Sequence, residues 1–286
     1  MSSDITTLMD GLTLPECPRW CDGKLWFSDI RDNRVWAVDV AGRAELIAET
    51  TGYPTGLGWN TAGELLVVVA TNRSVMRLDR GTLQPFADLS KCAAGDFNDM
   101  VIDGAGRGWI GDFGYAFFSG AERKAGQLLH IRADGSCRVA AEGLDLPNGM
   151  AVTPDGRTLI VAETYANKLT AFAIGPDDNL TNRRVFAEWP GAYPDGICLD
   201  AEGAIWVADP ASNRVSRFLD GGRITHTLTV SEGRRVFACM LGGEDGCTLF
   251  LCTNTPLGTN TPLAGREPGS GRIEIARVGV PGAGWP

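Results

Sequence analysis

The sequence is poor in several features, and each shortage excludes a class of protein. No apolar run in its 286 residues approaches the roughly 20 residues that a membrane-spanning helix needs. It contains no run of lysines or arginines, and its net charge is −9. Nucleic acids and anionic membranes are bound by basic surfaces or basic amphipathic helices. We therefore expect neither as a partner.

The first ten residues lack the basic start and the apolar core of a secretion signal. We therefore expect no signal peptide and a cytoplasmic location. Of the eight cysteines, Cys198, Cys239 and Cys252 lie in apolar strand-like runs, where a reducing compartment would keep them as free, buried thiols. Cys17 and Cys21 are four residues apart, but no second pair completes a structural zinc site.

A short phrase recurs about six times, at intervals of about 40 to 50 residues. Its clearest copies begin at Asn148 and Asp195, and each copy reads as a strand, an Asp/Gly turn and a second strand. Long helical patterns are absent, while 37 glycines and 15 prolines suit many tight turns. This period is typical of a β-propeller. We predict an all-β, six-bladed propeller with four-stranded blades, forming one domain over residues 1–286.

A ring of blades must close, and the chain before the first unit offers a means. Residues 5–9 have no place in that unit, so we predict that they form a strand paired with the last blade, which closes the ring. Two connections are long: residues 112–127, which include several aromatic residues, and residues 254–271. Long connections in compact domains are often functional.

The residue that opens each phrase varies, and this variation predicts a site. The opening residues are Glu16, Thr55, Asn98, Asn148, Asp195 and, roughly, Ala238. In a propeller these positions lie at one height around the central channel. Two carboxylates and two amides would then converge, and hard oxygen ligands suit Ca²⁺, Mg²⁺ or Mn²⁺. We predict one divalent cation, with Ca²⁺ as first choice and Zn²⁺, Mn²⁺, Mg²⁺ or Fe²⁺ as alternatives.

A purely structural interpretation competes with the metal site. Asn and Asp before glycine are ordinary turn residues, and any propeller repeat would carry them. Glu16 does not fit this interpretation, because glutamate is not a turn former and Cys-Pro follows it.

Four motifs carry a resemblance to a known family: PECPRW (15–20), FND (97–99), LPNGMA (146–151) and PDG (194–196). There the sequence resembles the regucalcin, gluconolactonase and luciferin-regenerating-enzyme family of six-bladed β-propellers. The resemblance implies metal ligation by Glu16, Asn148 and Asp195, with Asn98 beside the metal and in contact with substrate. It also implies that Asp195 is the general acid or base, and that the activity is hydrolysis of a lactone.

The residues are consistent with that chemistry. A bound cation can polarise the lactone carbonyl while Asp195 takes a proton from the attacking water. A serine–histidine route is not expected, because there is no Gly-x-Ser-x-Gly motif and His130 and His226 lie in strand-like runs.

Two acidic residues depart from the pattern of sugar-lactone members. Asp96 stands where they carry Arg, and Asp112 is the nearest candidate for a Glu of the following strand. We expect Asn98, Asp96, Asp112, Phe113 and Tyr115 to contact a substrate less polar than a sugar lactone. The alternative for the aromatic segment is a hydrophobic cover over the gap between blades.

Two other functions remain open at this point. The same metal site could polarise a phosphoryl oxygen in a phosphotriesterase-type hydrolase, or the propeller could bind metal without catalysis. Tyr53 and Tyr193 precede innermost strands and could extend an aromatic wall around the site. The expected partner is a small lactone, and the expected assembly is a monomer or a weak homo-oligomer.

Overall fold

The architecture follows the predicted repeat. A computed structural model describes residues 4–255 and 268–284. Within these ranges the chain forms 24 β-strands in six four-stranded antiparallel sheets. Three single-turn 3₁₀ helices lie at Ile30–Asp32, Phe117–Ser119 and Thr164–Ala166. The predicted six-bladed β-propeller is confirmed.

Blades 1 to 3 use twelve consecutive strands, each blade running from its innermost to its outermost strand. Blade 1 contains β2 (Pro15–Cys21), β3 (Lys24–Asp29), β4 (Arg34–Asp39) and β5 (Ala44–Glu49). Blade 2 contains β6 (Pro54–Trp59), β7 (Leu65–Val69), β8 (Ser74–Asp79) and β9 (Thr82–Asp88). Blade 3 contains β10 (Phe97–Ile102), β11 (Gly108–Asp112), β12 (Gly126–Ile131) and β13 (Cys137–Leu144).

Blades 4 to 6 follow the same order, except that the last blade takes its outermost strand from the start of the chain. Blade 4 contains β14 (Pro147–Val152), β15 (Thr158–Glu163), β16 (Lys168–Ile174) and β17 (Leu180–Glu188). Blade 5 contains β18 (Ile197–Leu199), β19 (Ile205–Asp209), β20 (Arg214–Phe218) and β21 (Ile224–Thr229). Blade 6 contains β22 (Arg235–Gly242), β23 (Thr248–Asn254), β24 (Gly271–Arg277) and β1 (Thr6–Leu12).

The ring closes as predicted. β1 pairs antiparallel with β24, with Thr6 opposite Ile275. The innermost strands β2, β6, β10, β14, β18 and β22 contact one another in turn around the channel. Pairing of the first strand with the last blade removes an exposed sheet edge.

Burial across a blade explains the sequence pattern. The inner strands β10 and β14 are buried along their whole length, whereas the outermost strands β17 and β21 are largely exposed. Sheets buried on both faces require continuous apolar runs, and outer strands tolerate polar residues. Neighbouring blades pack face to face; for example, Trp20 of blade 1 stacks on Phe250 of blade 6 with ring centroids 5.2 Å apart.

The cysteine prediction is confirmed for three residues and incomplete for two others. Cys198, Cys239 and Cys252 are free and buried, but Cys92 and Cys137 form a disulfide that the sequence did not anticipate. Disulfides are unusual in a reducing compartment, so the cytoplasmic location stays a prediction. No helix in the described ranges is long and apolar enough to cross a bilayer. Most of the long connection 254–271 lies outside the described residues.

His130 and His226 both lie in strands, but in different surroundings. His226 in β21 is exposed, whereas His130 in β12 is buried beside Trp109, with ring centroids 5.5 Å apart. Neither ring nitrogen of His130 has a hydrogen-bond partner among the described residues. Burial lowers the pKa of His130, and the nearby positive charges of Arg138, Arg132 and Arg107 also lower it, against the opposing charge of Asp178.

We expect this neutral, buried imidazole to make the fold acid-sensitive. Because the pKa of His130 is lower in the folded state, the unfolded state binds more protons below about pH 6.5. The stabilisation from neutral His130 is therefore complete above that pH and is lost as the pH falls. His130→Phe should reduce the difference in unfolding free energy between pH 7.5 and pH 5.5, measured by urea titration. The exposed control His226→Gln should keep the parent's pH dependence, and an unchanged slope in His130→Phe would disprove the assignment.

Candidate active site

The opening residues lie around one end of the channel. Glu16, Thr55, Asn98 and Asn148 are the second residues of β2, β6, β10 and β14, and Asp195 precedes β18 by two residues. A β-bulge follows the opening residue in each of the first four inner strands. Bulges re-aim side chains, so they give these residues a common local geometry.

Hydrogen bonds between neighbouring inner strands define the equivalent residue in blade 6. The amide of Gly149 donates to the carbonyl of Asp195 at 3.2 Å, and the amide of Gly196 donates to the carbonyl of Phe237 at 2.8 Å. The second contact makes Phe237 the equivalent of Asp195. The predicted position, Ala238, is therefore wrong by one residue, and blade 6 contributes a buried apolar ring.

The four predicted oxygen-bearing residues are buried at this end. Their exposed fractions are 9% for Glu16, 8% for Asn98, 8% for Asn148 and 2% for Asp195. The carboxylates of Glu16 and Asp195 also influence the pKa of the same thiol, that of Cys252. Burial first, and then the negative charges of Glu16, Asp29 and Asp195, raise the pKa of Cys252. Both carboxylates are thus close enough to Cys252 for their charges to affect it.

Hydrogen bonds orient both asparagines. Asn148 Nδ2 donates to Thr164 Oγ1 at 3.2 Å, and Thr164 Oγ1 donates to the carbonyl of Pro194 at 2.8 Å. This chain ties the Asn148 amide to the backbone beside Asp195 and leaves Asn148 Oδ1 as the remaining oxygen. Asn98 Nδ2 donates to the carbonyl of Pro147 at 3.4 Å, so the two amides are linked through adjacent inner strands.

A buried carboxylate at the end of the second strand supports the opening residue in four blades of the described chain. Each accepts a hydrogen bond of 2.6–3.1 Å from a backbone amide two to four residues before the opening residue. Hydrogen bonds to ionised groups are among the stronger ones in proteins. These contacts join Asp29 to Thr13 and Leu14, Asp112 to Ala94, Glu163 to Asp145, and Asp209 to Tyr193.

Asp112 therefore holds the backbone in place. Its side chain is fully buried; Oδ1 accepts from the Gly114 amide, and Oδ2 accepts from the Ala94 amide and from Gln127 Nε2. These contacts favour a positioning role over the predicted contact with substrate. Asp96 is similar, since its Oδ2 accepts from the Phe118 amide at 3.0 Å. Burial raises the pKa of Asp96, and the hydrogen bond opposes that effect.

The aromatic segment 113–118 is packed rather than open. Phe113 is 3% exposed and Tyr115 is 8% exposed, and both contact Leu146. Burial raises the pKa of Tyr115 to about 12. The half-buried rings of Phe117 and Phe118 pack against them. The first two rings therefore form a wall, and the other two are its more accessible edge.

Three tyrosines, together with Phe117 and Phe118, make up what we call the aromatic rim: Tyr53, Tyr165 and Tyr193. Tyr53 lies 4.8 Å from the ring of Phe118, and Tyr193 lies 6.1 Å from the ring of Tyr165. Each pair carries an arginine on its face: Arg31 is 5.0 Å from the Tyr53 ring, and Arg123 is 4.3 Å from the Tyr165 ring. Arg123 also pairs with Asp145. Both arginine side chains are thus engaged with these rings, and the extension of the aromatic wall by Tyr53 and Tyr193 stays a prediction.

Arg19 follows Glu16 by three residues and forms a buried ion pair. Arg19 Nη2 donates to Asp99 Oδ1 at 2.8 Å, and both side chains are at most 5% exposed. The Cys17 backbone has a positive φ of 50°. Burial and then the charge of Asp99 raise the pKa of the Cys17 thiol. This pairing occupies Arg19 inside the protein.

The donor set fits a hard cation. Among residues 4–255 and 268–284, no three His, Cys, Asp or Glu side chains are grouped closely enough to hold a metal. A cation at this ring would therefore need the amide oxygen of Asn148 beside the carboxylates of Glu16 and Asp195. Oxygen ligands of mixed charge suit Ca²⁺ or Mg²⁺. Compensation by a cation would also lower the cost of burying two carboxylates near each other.

Sequence reasoning missed several residues that shape the site. Thr164 and Tyr165 follow Glu163 at the end of β15, and the acids Asp29 and Asp209 end β3 and β19. The recurring acid at the end of the second strand was visible in the repeat and could have identified these supports. The contact of Thr164 with Asn148 had no such signal.

The chain matches known proteins along most of its length. A family model described as the SMP-30/Gluconolactonase/LRE-like region matches residues 14–255. A 6-deoxy-6-sulfogluconolactonase of Pseudomonas putida is 28% identical over 96% of this chain and 94% of that protein. Chicken (Gallus gallus) regucalcin is 24% identical over 96% and 94%. The structure of a calcium-binding protein, regucalcin, from Agrobacterium tumefaciens has a TM-score of 0.81 at 22% identity, covering 99% of this chain and 96% of that one.

The contacts of Asp112 predict a large loss of stability on its removal. Asp112→Ala should lower the unfolding free energy by about 3 kcal/mol, because buried amide donors lose their acceptor. Urea unfolding measures this loss. The control Asp134→Ala removes an exposed carboxylate that accepts from the Ser136 amide, and should leave the unfolding free energy close to the parent's. Unchanged stability in Asp112→Ala, with activity lost, would restore the interpretation as a substrate contact.

Proposed function

The chain belongs to the SMP-30/gluconolactonase/LRE-like family, and on that premise we propose that it hydrolyses a lactone with the help of one divalent cation. The observation that supports the proposal most is the hydrogen-bond chain that joins Asn148 through Thr164 to the backbone beside Asp195, together with the burial of Glu16, Asn148 and Asp195 at the same end of the inner strands. The names of its relatives support lactone hydrolysis and a calcium site.

The proposed ligands are the carboxylates of Glu16 and Asp195 and the amide oxygen of Asn148. When bound, the cation would act as a Lewis acid on the lactone carbonyl. Ca²⁺ is the first choice, because this ion accepts carboxylate, amide and water oxygens in flexible geometry.

The protein's own groups then handle the proton and the substrate. Asp195 accepts a proton as water adds to the carbonyl carbon, and returns it to the ring oxygen as the C–O bond breaks. The product is a hydroxy acid, and no covalent intermediate with the protein forms. Asn98 lies beside the ligands and contacts the substrate. Asp96 and Asp112 act on the substrate indirectly, because they hold the aromatic segment.

The aromatic rim supports a substrate with an apolar part. The half-buried rings of Phe117 and Phe118 offer flat apolar surfaces, and they pack against the buried rings of Phe113 and Tyr115. The guanidinium group of Arg19 is already paired with Asp99 inside the protein. Apolar walls with few polar groups select ligands by shape and burial.

Asp195→Asn tests the proposed proton transfer. The amide keeps an oxygen ligand but cannot accept a proton, so kcat for the best lactone should fall by about 10²–10⁴-fold. Metal affinity, measured by calorimetric titration, should fall much less. Asp155→Asn, in an exposed turn at the opposite end of blade 4, is the control and should keep the parent's kcat. Near-normal turnover by metal-loaded Asp195→Asn would remove this residue as the base.

Glu16→Gln tests the metal site. The variant should bind the cation more weakly, and excess metal should restore part of the rate, because the defect is in occupancy. The metal-induced rise in Tm should shrink in parallel, since a ligand bound only to the native state stabilises it by mass action. Differential scanning calorimetry with and without Ca²⁺ measures this. An unaltered metal response would place the ion elsewhere.

Substrate preference tests the role of the aromatic rim. We expect a higher kcat/KM for an alkyl- or aryl-substituted lactone than for gluconolactone or xylonolactone. A site with few free donors leaves polyol hydroxyls unpaired, at about 1–3 kcal/mol for each buried group. A panel should include one organophosphate triester to detect phosphotriesterase activity. A tenfold preference for a sugar lactone would contradict the expectation. Arg19 and Arg123 would then be the first residues to test as sugar-binding groups.

A further inference from the structure

Thr55 occupies the blade 2 position of the ring of opening residues. It is the second residue of β6 and lies between Glu16 of blade 1 and Asn98 of blade 3 in ring order. The same bulge that follows Glu16 and Asn98 follows Thr55. Its backbone is fixed, because Ser28 Oγ donates to the Thr55 carbonyl at 2.7 Å. The residue is therefore held at the height of the proposed metal ligands.

The hydroxyl of Thr55 lacks a partner within the described part of the chain. The residue is fully buried, and Oγ1 makes no hydrogen bond there. Leaving a buried hydroxyl unpaired costs about 1–3 kcal/mol, and such groups in native proteins need an explanation. The other buried polar atoms without a partner in the described ranges lie outside this ring: Asn33 Oδ1, Trp36 Nε1, Arg77 Nε, Trp109 Nε1, both His130 nitrogens and Trp206 Nε1.

The position of Thr55 indicates what its hydroxyl would meet. The proposed ligands come from blades 1, 4 and 5, and Phe237 from blade 6 is apolar. Blades 2 and 3 thus supply the two polar groups of the ring that are not proposed ligands, Thr55 and Asn98. A lactone whose carbonyl faces the ligands can place its ring oxygen or a substituent oxygen against these groups.

We propose that Thr55 is a substrate-contacting residue whose hydroxyl donates a hydrogen bond to an oxygen of the bound lactone, beside Asn98. The inference rests on the proposed lactone hydrolysis and adds a specificity-determining contact to it. Within the described part of the chain the hydroxyl has no partner, and on binding it would gain one from the lactone. A site built to pair a polar group rejects ligands that leave the group unpaired.

Thr55→Val tests the contact, because valine keeps the shape and removes the hydroxyl. The value of kcat/KM for the best lactone should fall about tenfold, the effect of one hydrogen bond of about 1.4 kcal/mol. The rise in Tm caused by the hydroxy-acid product should shrink as well. Thr55→Ser keeps the hydroxyl and should stay within about threefold of the parent. The ligand-free Tm of Thr55→Val should equal or exceed the parent's.

A matched control separates a substrate contact from a structural one. Thr170 is equally buried, but its hydroxyl donates to Glu163 Oε1 at 2.5 Å, so Thr170→Val should lower Tm. If Thr55→Val does not fold, the ratio of kcat/KM between Thr55→Ser and Thr55→Ala isolates the hydroxyl.

Two results would overturn the inference while the lactonase stands. One is a kcat/KM for Thr55→Val within twofold of an active parent. The other is a parallel loss of Tm and metal affinity in Thr55→Val, which would mean that the hydroxyl acts through the fold. A parent inactive on every lactone would instead remove the proposed function, and this inference with it.

Discussion

The close approach of six inner strands around one axis is the constraint on which the rest of the structure depends. In blades 4 and 5 neighbouring strands touch at the residue after the opening position, where Gly149 and Gly196 donate to the carbonyls of the next blade. A side chain at Gly196 would collide with Ala238, so this spacing requires glycine. Because the strands meet there, we expect the residues one position earlier to face a common channel, and a small change in one blade to alter the whole ring.

Buried carboxylates maintain that spacing. Asp29, Asp112, Glu163 and Asp209 each hold the backbone that leads into an inner strand. The same acid type therefore serves two purposes in this protein. At the ends of second strands it accepts backbone amides and sets positions. At the opening positions it faces the channel, where the proposed cation would compensate its charge.

The sequence predicted the features that repeat and missed the features that occur once. The phrase period predicted six blades and put four oxygen-bearing residues at equivalent positions, because each copy must fit the same geometry. The unassigned residues 5–9 predicted the closing strand β1. It missed the sixth opening residue, Phe237, because the phrase has decayed there. The Cys92–Cys137 disulfide and the contact of Thr164 with Asn148 depend on pairs of residues that no repeat brings together. Asp112 was interpreted as a substrate contact, because a sequence does not show that both of its oxygens bind backbone or side-chain donors.

Anomalous diffraction from crystals soaked in Mn²⁺ would test the central claim most directly, because Mn²⁺ prefers the same oxygen ligands as Ca²⁺ and scatters anomalously. The account predicts a single strong peak on the channel axis, with oxygens of Glu16, Asn148 and Asp195 at about 2.0–2.6 Å. An ion bound elsewhere, or an empty ring at saturating Mn²⁺, would contradict the account.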